Sequence, residues 1–253
     1  MGDVLRSPLL ERHGFRHAFN LRSGGVSAEP FSSFNLGRAV GDDAESVLEN
    51  HKRFAAAVGY PDGALYEVSQ VHGCELRVAD GEVAPQELRQ READALLAPP
   101  GGRAIGVRVA DCVPVLFGDP ESGTVAAVHA GWRGTVRGVL EQAVAQLEER
   151  GIGTGALQAA IFPHIRSCCF EVGEDVAAEL HAAAPEADAV DRDRDKPHVN
   201  LTAVVVAKLQ RLGLASSQID DVAGCTRCEP ERFYSYRREG KRSGRHLAAI
   251  VSR

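Results

Sequence analysis

Apolar residues recur at helical spacing in four stretches and as short continuous runs in several others, and the two kinds do not alternate regularly. After the acidic pair Asp42-Asp43, Val47, Leu48, Phe54, Ala55 and Val58 fall on one helical face, and Gly59 with Pro61 signals the stop. Thr135 reads as the N-cap of a second helix, in which Val136, Val139, Leu140, Ala143, Val144 and Leu147 recur until Gly151 closes it. Two further helices are expected over 174–184 and 201–212, with Gly213 ending the second. Strand character is loose over 67–78 and strong over 104–117, where Val, Ile and Leu point to one or two buried strands. Residues 124–128 form another buried strand, followed later by strand-like pieces at 219–223, 233–237 and 246–251. The turn-rich 239–244 separates the last two, and the Ala-rich then charged stretch 182–196 reads as a surface loop. Without a repeat or a long linker, this order predicts one α+β domain over 1–253, with layered mixed sheets flanked by helices.

The 253 residues are 44% hydrophobic and 25% charged, which excludes a disordered chain and suffices for a substantial core. Lysine plus arginine number 29 against 35 acidic residues, and the resulting net charge of −6 argues against nucleic acid and anionic membranes as partners. No apolar run approaches the ~20 residues of a spanning helix. Met1 to Arg6 lack the basic-then-apolar order of a secretory signal, and Arg6 stands where myristoylation takes Ser or Thr. A cytoplasmic protein is expected. Its six cysteines then read as free thiols, metal ligands or a nucleophile rather than as a disulfide frame.

His72, Cys112 and His129 each stand at a strand end in a Gly-rich or Asp-flanked context. Two imidazoles and one thiolate make a catalytic zinc set, with a fourth position open for water or substrate and a water pKa lowered toward about 7. The plain alternative is a buried cysteine and two hydrogen-bonded histidines. The same donors also form the equatorial set of an electron-transfer copper site, but the only methionine is Met1 and no His-x-His pair occurs, which disfavours multicopper chemistry. Downstream of His129, Gly131, Arg133 and Gly134 lead into the helix expected from Thr135, a setting in which phosphate could sit beside a metal. A Gly-rich turn with Trp132 packed in the core is the competing reading. Asp111 reaches the same site only if its strand ends there, and then orients a histidine or serves as acid or base.

The other cysteines read as structural: Cys225-Thr226-Arg227-Cys228 lacks a second pair of similar spacing, and Cys168-Cys169 suggests a buried turn. The basic run 237–245 reads as a solvated loop, with Tyr234, Tyr236 and Arg237 able to touch an anionic or aromatic ligand.

Several motifs then occur in one order. They include Arg22-Ser23-Gly24-Gly25-Val26-Ser27, Phe34-Asn35-Leu36-Gly37, Gln70-Val71-His72-Gly73, Ala93-Asp94-Ala95-Leu96, Ala110-Asp111-Cys112-Val113-Pro114 and His129-Ala130-Gly131-Trp132-Arg133-Gly134. Cys168-Cys169-Phe170-Glu171-Val172-Gly173 and Phe233-Tyr234-Ser235-Tyr236-Arg237-Arg238 complete the series. Over nearly its whole length the chain resembles the laccase-domain family, variously called polyphenol oxidase, purine nucleoside phosphorylase or peptidoglycan editing factor. The resemblance implies a fold similar to the catalytic domain of the cytotoxic necrotizing factor toxins. It places the family's zinc ligands on His72, Cys112 and His129, with copper as the other metal associated with the family. It implies phosphorolysis of adenosine, inosine and methylthioadenosine, and deamination of adenosine. Arg133, Arg22 and Asn35 are then the expected substrate-binding residues and Asp111 a proton carrier. Phe162-Pro163-His164 departs from the family's Gly-Pro pair, which affects the neighbouring loop. A metal-free thiol hydrolase with Cys112 as nucleophile and His129 as base, editing a cell-wall peptide precursor, is the second enzyme reading, and a nucleoside-binding domain without turnover the third.

Overall fold

A computed structural model describes residues 3–253; the N-terminal reading at Met1 and Gly2 lies outside them. A five-stranded sheet runs in the order β1 (Val4–Leu5), β2 (His17–Asn20), β13 (His246–Val251), β6 (Ala104–Val109) and β3 (Leu65–Tyr66), antiparallel except for the β3–β6 pair. A six-stranded sheet has the order β12 (Ile219–Asp221), β9 (Gln158–Ile161), β7 (Val113–Gly118), β8 (Val125–Ala130), β5 (Ala95–Ala98) and β4 (Leu76–Val78), with parallel pairs at both edges. A short ribbon pairs β10 (Val190–Asp191) with β11 (His198–Val199).

The two large sheets lie face to face between helical layers. Along β13, Leu247, Ala249 and Val251 pack outward with Phe54 and Val58 of helix α2 (Ala44–Val58), while Ala248 and Ile250 turn inward to the second sheet. In β8, Val125 and Ala127 enter that same inter-sheet core, whereas Ala126, Val128 and Ala130 pack under α5 (Val139–Glu148), α6 (Glu174–Ala183) and α7 (Leu201–Arg211). Burial on both faces explains why these strands read as unbroken apolar runs. The expected α+β arrangement of mixed sheets flanked by helices is what the structure has.

Local departures have local causes. Asp43 caps α2 by accepting from the Ser46 N–H, and Gly59 ends it in a left-handed conformation, as expected, but Leu48 is 59% exposed and leaves the buried face. The helix expected from Thr135 starts earlier, as α4 (Trp132–Val136) capped by Gly131, and breaks at Gly138, whose φ of 90° no helix accommodates, before α5 begins. Residues 233–235 are not strand: Ser235 caps the short α8 (Tyr236–Glu239) by accepting from the Arg238 N–H. Between β3 and β4 the chain is irregular, so the strand expected over 67–78 survives only at its end. Short helices α1 (Pro8–Arg12) and α3 (Pro85–Leu88) complete the α-helices among the described residues.

Candidate active site

The chain crosses between the two large sheets in the loop joining β3 to β4, which carries His72, and in the loop joining β6 to β7, which carries Asp111 and Cys112. His129 stands next to last in β8, paired with Pro114 of β7. These crossings bring three residues distant in sequence to one place. Cys112 Sγ lies 3.8 Å from His72 Nε2, the two imidazole centroids are 4.9 Å apart, and one donor atom from each residue falls within 4.8 Å of the others. His129 is buried, Cys112 half-buried and His72 exposed, so the group forms a floor open on one side. Gly131 closes the other: a Cβ there would stand 3.0 Å from His72 Cδ2 and 3.2 Å from Cys112 Sγ.

Asp94, at the head of β5, organises this floor. Its Oδ1 lies 2.7 Å from His129 Nδ1 and accepts from the His72 N–H at 2.9 Å, while Oδ2 accepts from the N–H groups of Gly73 and Val71 at 2.6 and 3.2 Å. Its backbone carbonyl accepts the N–H of His129. One carboxylate therefore sets the His129 tautomer, leaving Nε2 free, and folds the His72 loop, whose φ of 59° at His72 needs such support. Burial works against ionisation of Asp94, yet His129 and the backbone donors hold its carboxyl below the usual range. In the sequence Asp94 stands only as one member of the motif Ala93-Asp94-Ala95-Leu96. Its partner is 35 residues away, and nothing in the local pattern marks the pairing.

Burial also pushes the Cys112 thiol up, but His129 and His72 outweigh it and bring the thiol down to about 6. Reciprocally, burial disfavours charge on His129, while Cys112 and Asp94 raise it to about 9. The three donors also suit a tetrahedral cation. Zn–S of about 2.3 Å and Zn–N of about 2.0 Å place sulfur and nitrogen about 3.5 Å apart, near the 3.8 Å between Cys112 and His72, and the second nitrogen of His129 is held by a carboxylate.

Above the triad opens a cavity of about 630 Å³. Arg38 and Arg108 on its wall share the buried Glu67 carboxylate with Arg89, at 3.4, 3.1 and 3.4 Å, so three cations face one anion. Two more arginines line it, and their hydrogen bonds go to carbonyls: Arg245 to Ser243 and Gly244, Arg237 to Glu171. Phe170 and the half-exposed Tyr236 supply aromatic surface.

The other expected residues stand differently. Asp111 lines the cavity, at a φ of 87°, but its carboxylate accepts from the Thr226 hydroxyl and the Arg237 N–H, each at 2.6 Å, and from no histidine. Arg133 is exposed with its guanidinium 4.4 Å over the Trp132 ring, and lines a neighbouring cavity of about 530 Å³ that shares Phe170 and Arg237 with the first. Arg22 pairs with Glu239 at 2.6 Å beside Tyr234, in another part of the surface. Asn35 is fully buried. Its Oδ1 accepts from the Arg245 N–H at 2.8 Å, so it holds a cavity arginine rather than facing the cavity. The anion site expected at a helix N-terminus rested on Thr135 heading a long helix, and α4 has only five residues.

Among relatives of known designation, a purine nucleoside phosphorylase of Deinococcus radiodurans is 37% identical over 248 residues, covering 98% of this chain and 92% of that protein. An adenosine deaminase from an unknown prokaryotic organism, RL5, is 36% identical over 242 residues, 92% of each chain. The crystal structure of YlmD from Geobacillus stearothermophilus superposes with a TM-score of 0.91 at 30% identity, covering 100% of this chain and 97% of that one. The family described as multi-copper polyphenol oxidoreductase laccase matches residues 16–253, and the chain belongs to it.

Proposed function

We propose that the protein is a zinc-dependent purine nucleoside phosphorylase, with His72, Cys112 and His129 as the metal ligands. One observation carries the reading: two arginines whose guanidinium groups have no carboxylate partner among the described residues, Arg237 and Arg245, share a cavity with the triad. Bound there, zinc would supply a Lewis acid with an open fourth position. The chain's own residues do the rest. Arg245, Arg237 and Arg108 bind phosphate as charge-assisted donors. Tyr236 and Phe170 offer their rings to the purine. Phosphorolysis breaks the bond between base nitrogen and anomeric carbon, sends its electron pair to the base, and joins a phosphate oxygen to that carbon. The arginine cluster holds the phosphate against the cation-like sugar of that transition state. Asp111 enters by fixing the Arg237 backbone. The phosphorylase designation of the Deinococcus relative, over 98% of this chain, supports this substrate class, and that of RL5 supports deamination of adenosine in the same cavity. The test supplies inosine and phosphate to metal-depleted and zinc-loaded protein and measures free base and ribose phosphate by chromatography.

A second reading has its own observation. The low thiol pKa of Cys112, the raised one of His129 and the Asp94 carboxylate behind it are the constellation of a thiol hydrolase. It requires a metal-free pair, and loss of iodoacetamide reactivity on adding zinc contradicts it.

A further inference from the structure

Four cysteines outside the triad also converge. Cys168 and Cys169 lie in the turn between β9 and α6, and Cys225 and Cys228 in the loop between β12 and α8. Sγ of Cys228 lies 3.1 Å from that of Cys169 and 3.5 Å from that of Cys168, Cys168 and Cys225 are 3.7 Å apart, and all four sulfurs fall within 4.8 Å of one another. Cys225-x-x-Cys228 lacks a sequence partner of matching spacing because the partner is an adjacent pair, presented by a different loop. The backbones are pinned before the sulfurs meet: the Thr226 N–H donates to the His164 carbonyl at 3.1 Å, and the Cys225 N–H to the Glu229 carboxylate at 2.8 Å.

We propose that Cys168, Cys169, Cys225 and Cys228 bind a zinc ion as a closed tetrathiolate site. A tetrahedron of sulfurs about 2.3 Å from zinc has edges of about 3.8 Å; the three shortest contacts, 3.1, 3.5 and 3.7 Å, lie just under that value, and all four sulfurs stay within 4.8 Å of one another. A disulfide requires about 2.05 Å between two sulfurs and would leave the other two unused. With four protein donors and no vacancy the site is structural. It clamps the loop bearing Ile165 and Phe170 to the loop bearing Thr226, whose hydroxyl holds Asp111, and these are elements of the wall above the triad. The inference does not depend on what that cavity turns over.

The experiment isolates the site by removing the other one. In Cys112→Ala protein, elemental analysis is expected to find one zinc per chain, and Ellman titration of that same folded protein one reactive thiol, Cys74. Adding Cys225→Ser and Cys228→Ser is expected to lose that zinc. Where the multiple variant fails to fold, cobalt loading of Cys112→Ala protein answers instead, with the thiolate-to-cobalt charge-transfer absorption of a tetrahedral sulfur site as the expected spectrum. A metal-free Cys112→Ala protein that takes up no cobalt overturns the proposal, whether its four sulfurs titrate as free thiols or its mass shows the loss of two or four hydrogens to disulfides.

Discussion

Asp94 Oδ1 and His129 Nδ1 are 2.7 Å apart, buried, and joined a second time through the His129 N–H and the Asp94 carbonyl. The imidazole therefore has one available nitrogen and one orientation. Replacing Asp94 with Asn keeps the volume and removes an acceptor, so zinc affinity at the triad is expected to fall by about 10- to 100-fold. Chelator competition measures it.

The arginines separate by partner. Arg245→Ala is expected to raise the KM for phosphate by roughly tenfold to a hundredfold, the value of one charge-assisted hydrogen bond, in initial-rate measurements with saturating nucleoside. Arg133, seated over Trp132 in the neighbouring cavity, is expected to leave that KM within about twofold when replaced by Ala.

Metal-free protein should reveal the thiolate. With the Cys112 thiol at about 6, alkylation by iodoacetamide is expected to be near its maximal rate at pH 7.5 and to fall tenfold with each pH unit below about 6. Zinc added before the reagent is expected to abolish the reaction at Cys112, as peptide mass mapping reports.

Acid sensitivity follows from neutral histidines in the core. His17 and His246 each accept a backbone N–H at Nε2 and donate to a carbonyl at Nδ1, so a second proton would meet a donor. Burial lowers His17 and, with Arg22 and Arg238 nearby, takes His246 down to about 3, outweighing the backbone hydrogen bonds that act the other way; burial takes His51 and His164 to about 4. The unfolded chain, with histidine near 6.5, binds more protons than the fold between about pH 4 and pH 6.5. The contribution of these four histidines is therefore complete above pH 6.5 and lost below it, at roughly 1.4 kcal/mol per pH unit for each. Melting temperature is expected to be flat from pH 7 to 8 and to drop steeply toward pH 4.5.

What was legible in the sequence is what short range decides. Asp43 and Gly59 delimit α2 because caps act within a turn, and β13 matches its apolar run at 246–251 because both faces are buried. His72, Cys112 and His129 stand out by residue type at strand ends. Long-range pairings left no such trace. Asp94 reaches His129 across a strand pair, Asp111 turns to Thr226 115 residues onward, and Arg22 is claimed by Glu239 at the far end of the chain. Phe233 and Tyr234 carry strand-like side chains but pack as a buried loop, since Tyr234 spends its hydroxyl on the Phe31 carbonyl and Ser235 opens a helix.

Phosphorolysis of inosine by the protein, stripped of metal and then titrated with zinc, tests the central claim most directly. Turnover to hypoxanthine and ribose phosphate is expected to vanish with the metal and to return as zinc refills the triad. Undiminished turnover by protein shown to be metal-free would contradict the account.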